Sequence, residues 1–183
     1  LFSTMIASLI LGMGLPTTAN FIVTSTMAAP ALFLLGVPPM AAYMFVFYFG
    51  IAADLTPPVA LAAYAGAGIA GSDPMKTGVT SFKLALAGFL VPYIYVYNPM
   101  LLFIDVEPFY MAQAICTALI GVFLLAMFTI GYFKAHLAWY MRVLAFVGAI
   151  CLLIPGTMSD LFGLVVLGVI YVMQTAKAKK RAA

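Results

Sequence analysis

The stretch GMGLPTTAN at residues 12–20 decides how this chain folds, because it interrupts an apolar run that extends from residue 5 to residue 35. As one helix that run would measure about 46 Å, against a hydrocarbon core of about 30 Å. Proline removes a backbone donor and clashes with the preceding turn, and glycine tolerates unusual dihedral angles. The sequence therefore predicts two shorter helices joined by an unwound stretch.

A second polar interruption, DLTPP at residues 54–58, lies between the apolar segments 40–53 and 59–70. As helices these segments would measure about 21 Å and 18 Å, so neither is long enough to cross a membrane alone. Their lengths fit a hairpin of two half-helices that enters and leaves on the same side, and a single kinked span is the alternative. The two prolines fit the first turn of the second half-helix, and Thr56 is placed to cap it.

The composition indicates an integral membrane protein. Hydrophobic residues make up 66% of the 183 residues and charged residues 7%, whereas about 25% of the residues in a soluble domain are charged. A span needs about 20 apolar residues, so the length leaves room for about six or seven crossings or half-crossings. The chain opens on Leu1 inside an apolar stretch without the features of a signal peptide. We therefore expect a fragment of a longer protein.

Polar connections and apolar runs alternate after the second interruption. Residues 71–83 are the most polar internal segment, which predicts a surface connection or an interfacial helix. The apolar runs predict four crossings, at residues 84–104, 109–133, 137–154 and 161–176. Their connections alternate between basic (Lys76 and Lys83; Lys134 and Arg142; the tail Lys177-Ala178-Lys179-Lys180-Arg181) and acidic (Asp105 and Glu107; Asp160). The positive-inside rule then places the basic ends and the C-terminus in the cytoplasm.

Charge and cysteine content argue against several functional classes. The net charge of +3 is concentrated at the C-terminus, which argues against a nucleic-acid partner. Cys116 and Cys151 lie in apolar runs without a second Cys or a His at ligand spacing, so neither a disulfide nor a transition-metal site is indicated. No Ser, Cys or His is arranged for nucleophilic catalysis. We expect neither an enzyme nor a bound cofactor.

The first interruption carries groups that can bind an ion. Non-helical backbone at membrane depth is tolerated only where it is buried in protein or lines a cavity. Freed carbonyls, the hydroxyls of Thr17 and Thr18 and the amide of Asn20 offer hard oxygen ligands, which suit Na⁺ or a proton-carrying water. The helix resuming after Thr18 would also direct its positive end at a carboxylate. The alternative is a kink that only fits neighbouring helices.

The second interruption contains Asp54, the one acid within a long apolar run. An ionisable residue at membrane depth costs about 2.5–3.5 kcal/mol or more, which implies a partner. A purely structural interpretation is that Asp54 or Thr56 caps the following half-helix and contacts no ligand. Capping and ligand binding are compatible, and the sequence favours a role for these residues in ligand binding.

The two interruptions also resemble a known family. GMGLPTTANFIV, followed by FYFGIAADLTPPVALAAYAGAGIAGSDPMKTG, is similar to the large membrane subunit of tripartite ATP-independent periplasmic (TRAP) transporters. The resemblance covers residues 1–104 and is closest to the TAXI branch, whose permeases are often fused proteins. Residues 105–183 would be additional C-terminal helices of such a protein.

The resemblance implies an all-α integral membrane protein and an elevator-type secondary transporter, similar to the ion transporter superfamily. Discontinuous helices and re-entrant hairpins form its inverted repeats. Residues 1–104 would supply one repeat, with an unwound helix at the first interruption and a hairpin at the second. The other repeat and half of the substrate site would lie in the remaining N-terminal part of the permease.

The resemblance further implies uptake of an organic anion, such as a dicarboxylate, driven by a cation gradient that is usually Na⁺. A periplasmic substrate-binding protein would deliver the anion to a permease in the bacterial inner membrane, which would also contain a small membrane domain. The implied ion-binding residues are Gly12, Gly14, Thr17, Thr18, Ala53, Asp54 and Thr56. Asn20 and Pro58 would border the substrate carboxylate. The competing class is a non-transporting scaffold whose kinks only shape its packing.

Overall fold

The computed structural model describes residues 1–104, 107–153 and 156–182, and the regular elements of this part of the chain are helices. They are α1 (Phe2–Gly12), α2 (Thr17–Met27), α3 (Ala29–Phe33), α4 (Pro39–Ala52), α5 (Leu61–Ala70), α6 (Pro74–Ala85), α7 (Val91–Tyr97), α8 (Pro108–Ile130), α9 (Trp139–Leu153) and α10 (Thr157–Ala182). The expectation of an all-helical chain is confirmed. The chain divides into two compact units, Leu1–Leu102 and Phe103–Ala183.

The first unit is built around α4, which packs against α1, α2, α3 and α7. Aromatic rings hold α7 on this helix, because Tyr93 contacts both Phe45 and Phe49 edge to face. The buried cluster at the centre is apolar and consists of Ala28, Ala29, Leu32, Ala41, Ala42, Phe45, Val46, Phe49 and Tyr95. Burying these faces positions the ends of α1, α2 and α4 relative to one another.

Helices α1 and α2 lie side by side rather than end to end. Both pack along α4, which has 14 residues and is about 21 Å long, so the two cannot be collinear. Phe21 of α2 contacts Phe47 edge to face, and Phe33 of α3 contacts Tyr43, one turn earlier in α4. Helices α2 and α3 therefore run antiparallel to α4. Since α1 also contacts α3, it forms a hairpin with α2 and runs parallel to α4.

The helices that flank the second interruption do not form such a pair. Helix α4 continues into a 3₁₀ turn at Ala53–Leu55, and α5 packs on α6 rather than along α4. The expected hairpin of residues 40–53 with 59–70 is therefore wrong, and the hairpin flanks the first interruption instead. The reason is a close approach of α5 and α6. A Cβ at Gly78 of α6 would lie 2.9 Å from the ring of Tyr64 in α5, so the absence of a side chain at Gly78 allows this ring to pack against α6.

Residues 84–104 do not form the single crossing that their hydropathy predicts. Helix α6 ends at Ala85, and the chain bends by 50° into the helical segment Gly88–Tyr97. A 3₁₀ turn follows at Pro99–Leu102. Pro99 lacks the N–H that would continue α7, so the helix ends before it. The polar segment before the bend is helical, and Asp73 caps α6 by accepting a hydrogen bond from the Lys76 N–H at 2.8 Å.

The second unit consists of α8, α9 and α10. Within the described residues, Pro108–Ile130 and Met158–Thr175 are long and apolar enough to cross a membrane, which agrees with the crossings expected at 109–133 and 161–176. Helix α9 has 15 residues and is shorter than such a span. It packs against both α8 and α10. Glycines at the α9–α10 contact permit close packing.

Polar contacts define the two ends of this second unit. At one end, Gln113 Nε2 donates to Asp160 Oδ2 at 2.8 Å, near the start of α8. At the other end, Arg142 Nη2 donates to the Phe128 carbonyl at 2.8 Å, and Lys134 Nζ donates to Thr175 Oγ1 at 3.3 Å. Acidic and basic connections therefore lie at opposite ends of the unit. Asp105 and the side chains of the basic tail at residues 177–181 lie outside the described residues.

Candidate ion and substrate site

The first interruption forms the tip of the α1–α2 hairpin. Residues 13–16 alone separate the two helices, since α2 begins at Thr17, so the non-helical stretch is shorter than the expected residues 12–20. Gly14 has a φ of 74°, in the left-handed region that favours glycine. The Leu15 N–H donates to the Gly12 carbonyl at 3.3 Å. The tip is thus a tight reversal rather than an extended unwound segment.

Asn20 lies within α2, as its fourth residue, and not in the unwound stretch. Its N–H donates to the Pro16 carbonyl at 2.8 Å. The side chain is 1% exposed, and neither polar atom of its amide has a hydrogen-bond partner among the described residues. Buried amides are normally paired, because an unpaired polar group in an apolar interior is costly. The buried Asn20 amide therefore keeps its donor and acceptor available for a ligand.

Two glycines allow the hairpin to contact the end of α4. A Cβ on Gly12 would lie 2.7 Å from the Gly50 Cα, and a Cβ on Gly50 would lie 3.0 Å from the Asn20 Cγ. Helix α1 also contacts the turn Ala53–Leu55, with Cα atoms within 8 Å. The two interruptions consequently meet at one end of the unit.

Asp54 is half-buried in the 3₁₀ turn, and its Oδ1 is buried without a hydrogen-bond partner in the part of the chain that the structure describes. Thr56 does not cap the following helix as the sequence suggested, because its Oγ1 donates to the Ala52 carbonyl at 2.8 Å. Pro58 lies in the turn before α5, which begins only at Leu61, and its carbonyl accepts a hydrogen bond from the Tyr64 hydroxyl at 2.9 Å. The expectation that the prolines start the second half-helix is wrong. Ala60, in the left-handed region with φ of 37°, separates them from α5.

Thr17 and Thr18 lie on the exposed side of α2. They line a cavity of about 520 Å³ whose other walls are Phe21, Met40, Tyr43, Met44 and Phe47. Asp54 lines a second cavity, of about 570 Å³, that shares Met44 and Phe47 with the first. The structure therefore brings Gly12, Asn20 and the Ala53–Asp54 turn together. The two threonines line a different cavity, and the apolar side chains of Met44 and Phe47 lie between it and the cavity at Asp54.

Sequence reasoning missed two residues at this junction, Ser8 and Gly50. The Ser8 side chain is 0% exposed, and no described residue forms a hydrogen bond with its Oγ. Gly50 is the contact point of the hairpin on α4. A spacing of four residues could have revealed both, since Ser8 precedes Gly12 by one turn and Gly50 precedes Asp54 by one turn.

The described residues define a class of protein: helical, with apolar candidate spans, and with two interruptions that meet beside buried polar groups. Residues 1–110 match the family described as the tripartite ATP-independent periplasmic transporter, DctM component. This match covers more than half of the chain, and the chain belongs to that family. No curated protein and no solved structure matches the chain significantly.

Family membership confirms the resemblance to TRAP permeases. The family is one of membrane transporters and not of enzymes, in agreement with the sequence analysis. A tripartite transporter also implies a periplasmic binding protein and a small membrane partner. The assignment to the TAXI branch stays a prediction.

Proposed function

We propose that this protein is the permease of a secondary transporter that couples uptake of a carboxylate-bearing organic anion to a cation gradient, with Na⁺ as the coupling ion. Membership of the DctM family supports the permease role. The observation that carries the ion site is the meeting of the two interruptions, where Asn20 and Asp54 contribute buried polar atoms without partners. Such atoms are costly in an apolar interior unless a ligand satisfies them.

The cation would lie between the hairpin tip and the turn that follows α4. Backbone carbonyls of Gly12, Gly14 and Ala53 and the carboxylate of Asp54 are the hard oxygen ligands that small cations prefer. Thr56 donates its proton to a carbonyl, and its hydroxyl oxygen keeps lone pairs for a ligand.

The anion would bind on the exposed side of α2. The helix begins at Thr17 with no side-chain cap, so its first N–H groups and its positive dipole end favour a carboxylate in the adjacent cavity. Thr17 and Thr18, assigned to the ion by resemblance, are better placed for this anion. Asn20, assigned to the substrate by resemblance, faces Gly50 and is better placed for the cation. The Pro58 carbonyl already accepts a hydrogen bond from Tyr64, so Pro58 would border the site without binding the anion directly.

The helix packing supports a particular arrangement in the membrane. In this proposal the α1–α2 hairpin is re-entrant and α4–α5 is the broken span of an elevator-type transport domain. The remaining N-terminal part of the permease, its small membrane domain and a periplasmic substrate-binding protein complete the transporter in the bacterial inner membrane. The C-terminal helices belong to a TAXI-type permease and end in the cytoplasm.

The test is uptake by the complete transporter in proteoliposomes with its binding protein, under separately imposed Na⁺ and pH gradients. We expect Na⁺ to drive uptake, and Asp54→Asn to raise the half-maximal Na⁺ concentration by about tenfold, as loss of a metal-site group does. Asp73→Asn is the matched control, because this exposed carboxylate caps α6 and Asn preserves the cap.

Three outcomes would contradict parts of the proposal. Uptake driven by a pH gradient alone would replace Na⁺ by H⁺ as the coupling ion. An unchanged Na⁺ dependence in Asp54→Asn would remove Asp54 from the site. Absence of uptake under every gradient would favour the scaffold, although a scaffold of two kinked full spans has no need for the meeting of the two interruptions.

A further inference from the structure

Three helices contribute buried residues at every fourth position to the interior of the first unit. The stripes are Thr4, Ser8 and Gly12 on α1, Asn20, Thr24 and Ala28 on α2 and its C-terminal end, and Ala42, Val46 and Gly50 on α4. A spacing of four places the members of each stripe on one face of their helix. In α1 and α2, this buried face is polar or small while the apolar side chains face outward.

Direct contacts define how these stripes are aligned. Gly50 lies against both Gly12 and Asn20, and these three residues form the level nearest the hairpin tip. Because α1 runs parallel to α4 and α2 runs antiparallel, the next level inward, about 5.4 Å away, contains Ser8 and Thr24. Asp54 follows Gly50 by one turn in the opposite direction, toward the tip.

Each of three successive levels contains a buried polar group that has no hydrogen-bond partner within residues 1–104, 107–153 and 156–182. These groups are the Asp54 Oδ1, the Asn20 amide and the Ser8 Oγ. Thr24 provides the contrast, since its Oγ1 donates to the Asn20 carbonyl at 2.8 Å. A buried helical Ser can bond the carbonyl four residues earlier in the same way, and Ser8 does not. Packing alone would be served as well by Ala at position 8, without an unsatisfied hydroxyl.

We propose that Ser8 and Asn20 form an inner cation position, connected to Asp54 by a polar track along the interior of the hairpin. Hydroxyl and amide oxygens suit a small monovalent cation. Ser8 and Asp54 lie on levels about two turns apart, which is too far for both to bind one ion. The outer position is the cation site at Asp54 described under the proposed function. Asn20 lies between the two positions and can contribute to either. This inference rests on the proposed function and deepens it by naming a further ligand and a second cation position.

The test measures Na⁺-dependent thermal stabilisation of the complete permease in detergent, with K⁺ as the comparison ion, and Na⁺-dependent uptake in parallel. We expect Ser8→Ala to raise the Na⁺ concentration for half-maximal stabilisation by about tenfold. Ser8→Cys, which keeps the volume and replaces the oxygen by a poor ligand for Na⁺, should show the same loss. The control is Ser3→Ala, an exposed serine on the same helix that should leave the Na⁺ response unchanged.

The variants distinguish failure of this inference from failure of the proposed function. If Asp54→Asn shifts the Na⁺ response and neither Ser8 variant does, Ser8 is a packing residue and the inner position is refuted. If the unmodified permease shows no response to Na⁺, the proposed function fails, and the inner position fails with it. If Ser8→Ala does not fold, the Ser8→Cys variant decides between these outcomes.

Discussion

Single residues at the junction differ in how their polar atoms are satisfied. The hydroxyls of Thr24 and Thr56 each donate a hydrogen bond to the backbone carbonyl four residues earlier. Ser8, Asn20 and Asp54, in contrast, have buried polar atoms without a partner among the described residues. Each unpaired buried group costs about 1–3 kcal/mol. The residue types at the two interruptions show which polar groups are present, but a side chain's hydrogen-bond partners depend on the helices that surround it.

Replacement of Gly12 by Ala tests the contact between the hairpin and α4. The new Cβ would lie 2.7 Å from the Gly50 Cα and 2.9 Å from its carbonyl carbon, and backbone cannot move aside as a flexible side chain can. We expect a loss of about 1–3 kcal/mol in the free energy of unfolding, at the upper end of that range, from overpacking. Thermal unfolding of the permease in detergent measures it.

Gly66→Ala is the matched control for this prediction. Gly66 lies in α5, and a Cβ there would meet nothing within 4 Å. Alanine has the higher helix propensity, so this variant should be as stable as the original protein or slightly more stable. Equal stability of Gly12→Ala and Gly66→Ala would show that the α1–α4 contact is looser than described.

At the scale of helices, the sequence predicted where helices lie better than how they pair. Segment lengths identified one short piece on each side of each interruption, and these four pieces exist as α1, α2, α4 and α5. The hairpin was assigned to the wrong interruption because two helices of similar length fit a hairpin or a broken span equally well. The packing of α5 on α6 and of both α1 and α2 on α4 decides between them.

Arg142 is predicted to stabilise the end of α8. Its Nε and Nη2 donate to the Phe128 carbonyl at 3.0 and 2.8 Å, and Nη2 also donates to the Thr129 carbonyl at 3.2 Å. These contacts satisfy carbonyls that the helix end leaves open, and they place a cation at its negative end. We expect Arg142→Met to lower the free energy of unfolding by about 1.5–3 kcal/mol, the range for hydrogen bonds to charged groups.

Lys134→Met at the same end of the unit is the comparison. Lys134 is exposed and makes one longer hydrogen bond, at 3.3 Å, together with a contact of its ammonium with the Tyr171 ring. Its loss should cost about 1 kcal/mol or less. A chemical denaturation series on both variants measures the difference, and a smaller effect for Arg142→Met than for Lys134→Met would refute the capping role.

At the scale of the whole molecule, the charge pattern sets the expected orientation in the membrane. Glu107 and Asp160 lie at one end of the second unit and Lys134 and Arg142 at the other. Basic connections are retained on the cytoplasmic side during insertion. The family match, which ends at residue 110, assigns the first unit to a transporter family and leaves most of the second unit outside the matched segment.

Cysteine labelling tests this orientation. In a background with Cys116 and Cys151 replaced by Ala, we expect Glu107→Cys to react with a membrane-impermeant maleimide in intact cells. Lys134→Cys should react only after the membrane is permeabilised, because the positive-inside rule places it in the cytoplasm. Labelling of Lys134→Cys in intact cells, with Glu107→Cys protected, would reverse the proposed topology.

The sequence alone determined that this chain is helical, that it belongs in a membrane, where its helices are interrupted, and which oxygen-bearing side chains the interruptions contain. These properties follow from local composition, since hydropathy, proline and glycine act on their own segment of the chain. The tertiary structure decided which interruption is the hairpin, that Gly50 meets both Gly12 and Asn20, and that Ser8 is buried one turn away from Gly12. Those contacts join residues that are distant in sequence. How closely such residues approach depends on the volumes of the side chains packed between their helices, because protein interiors are close-packed.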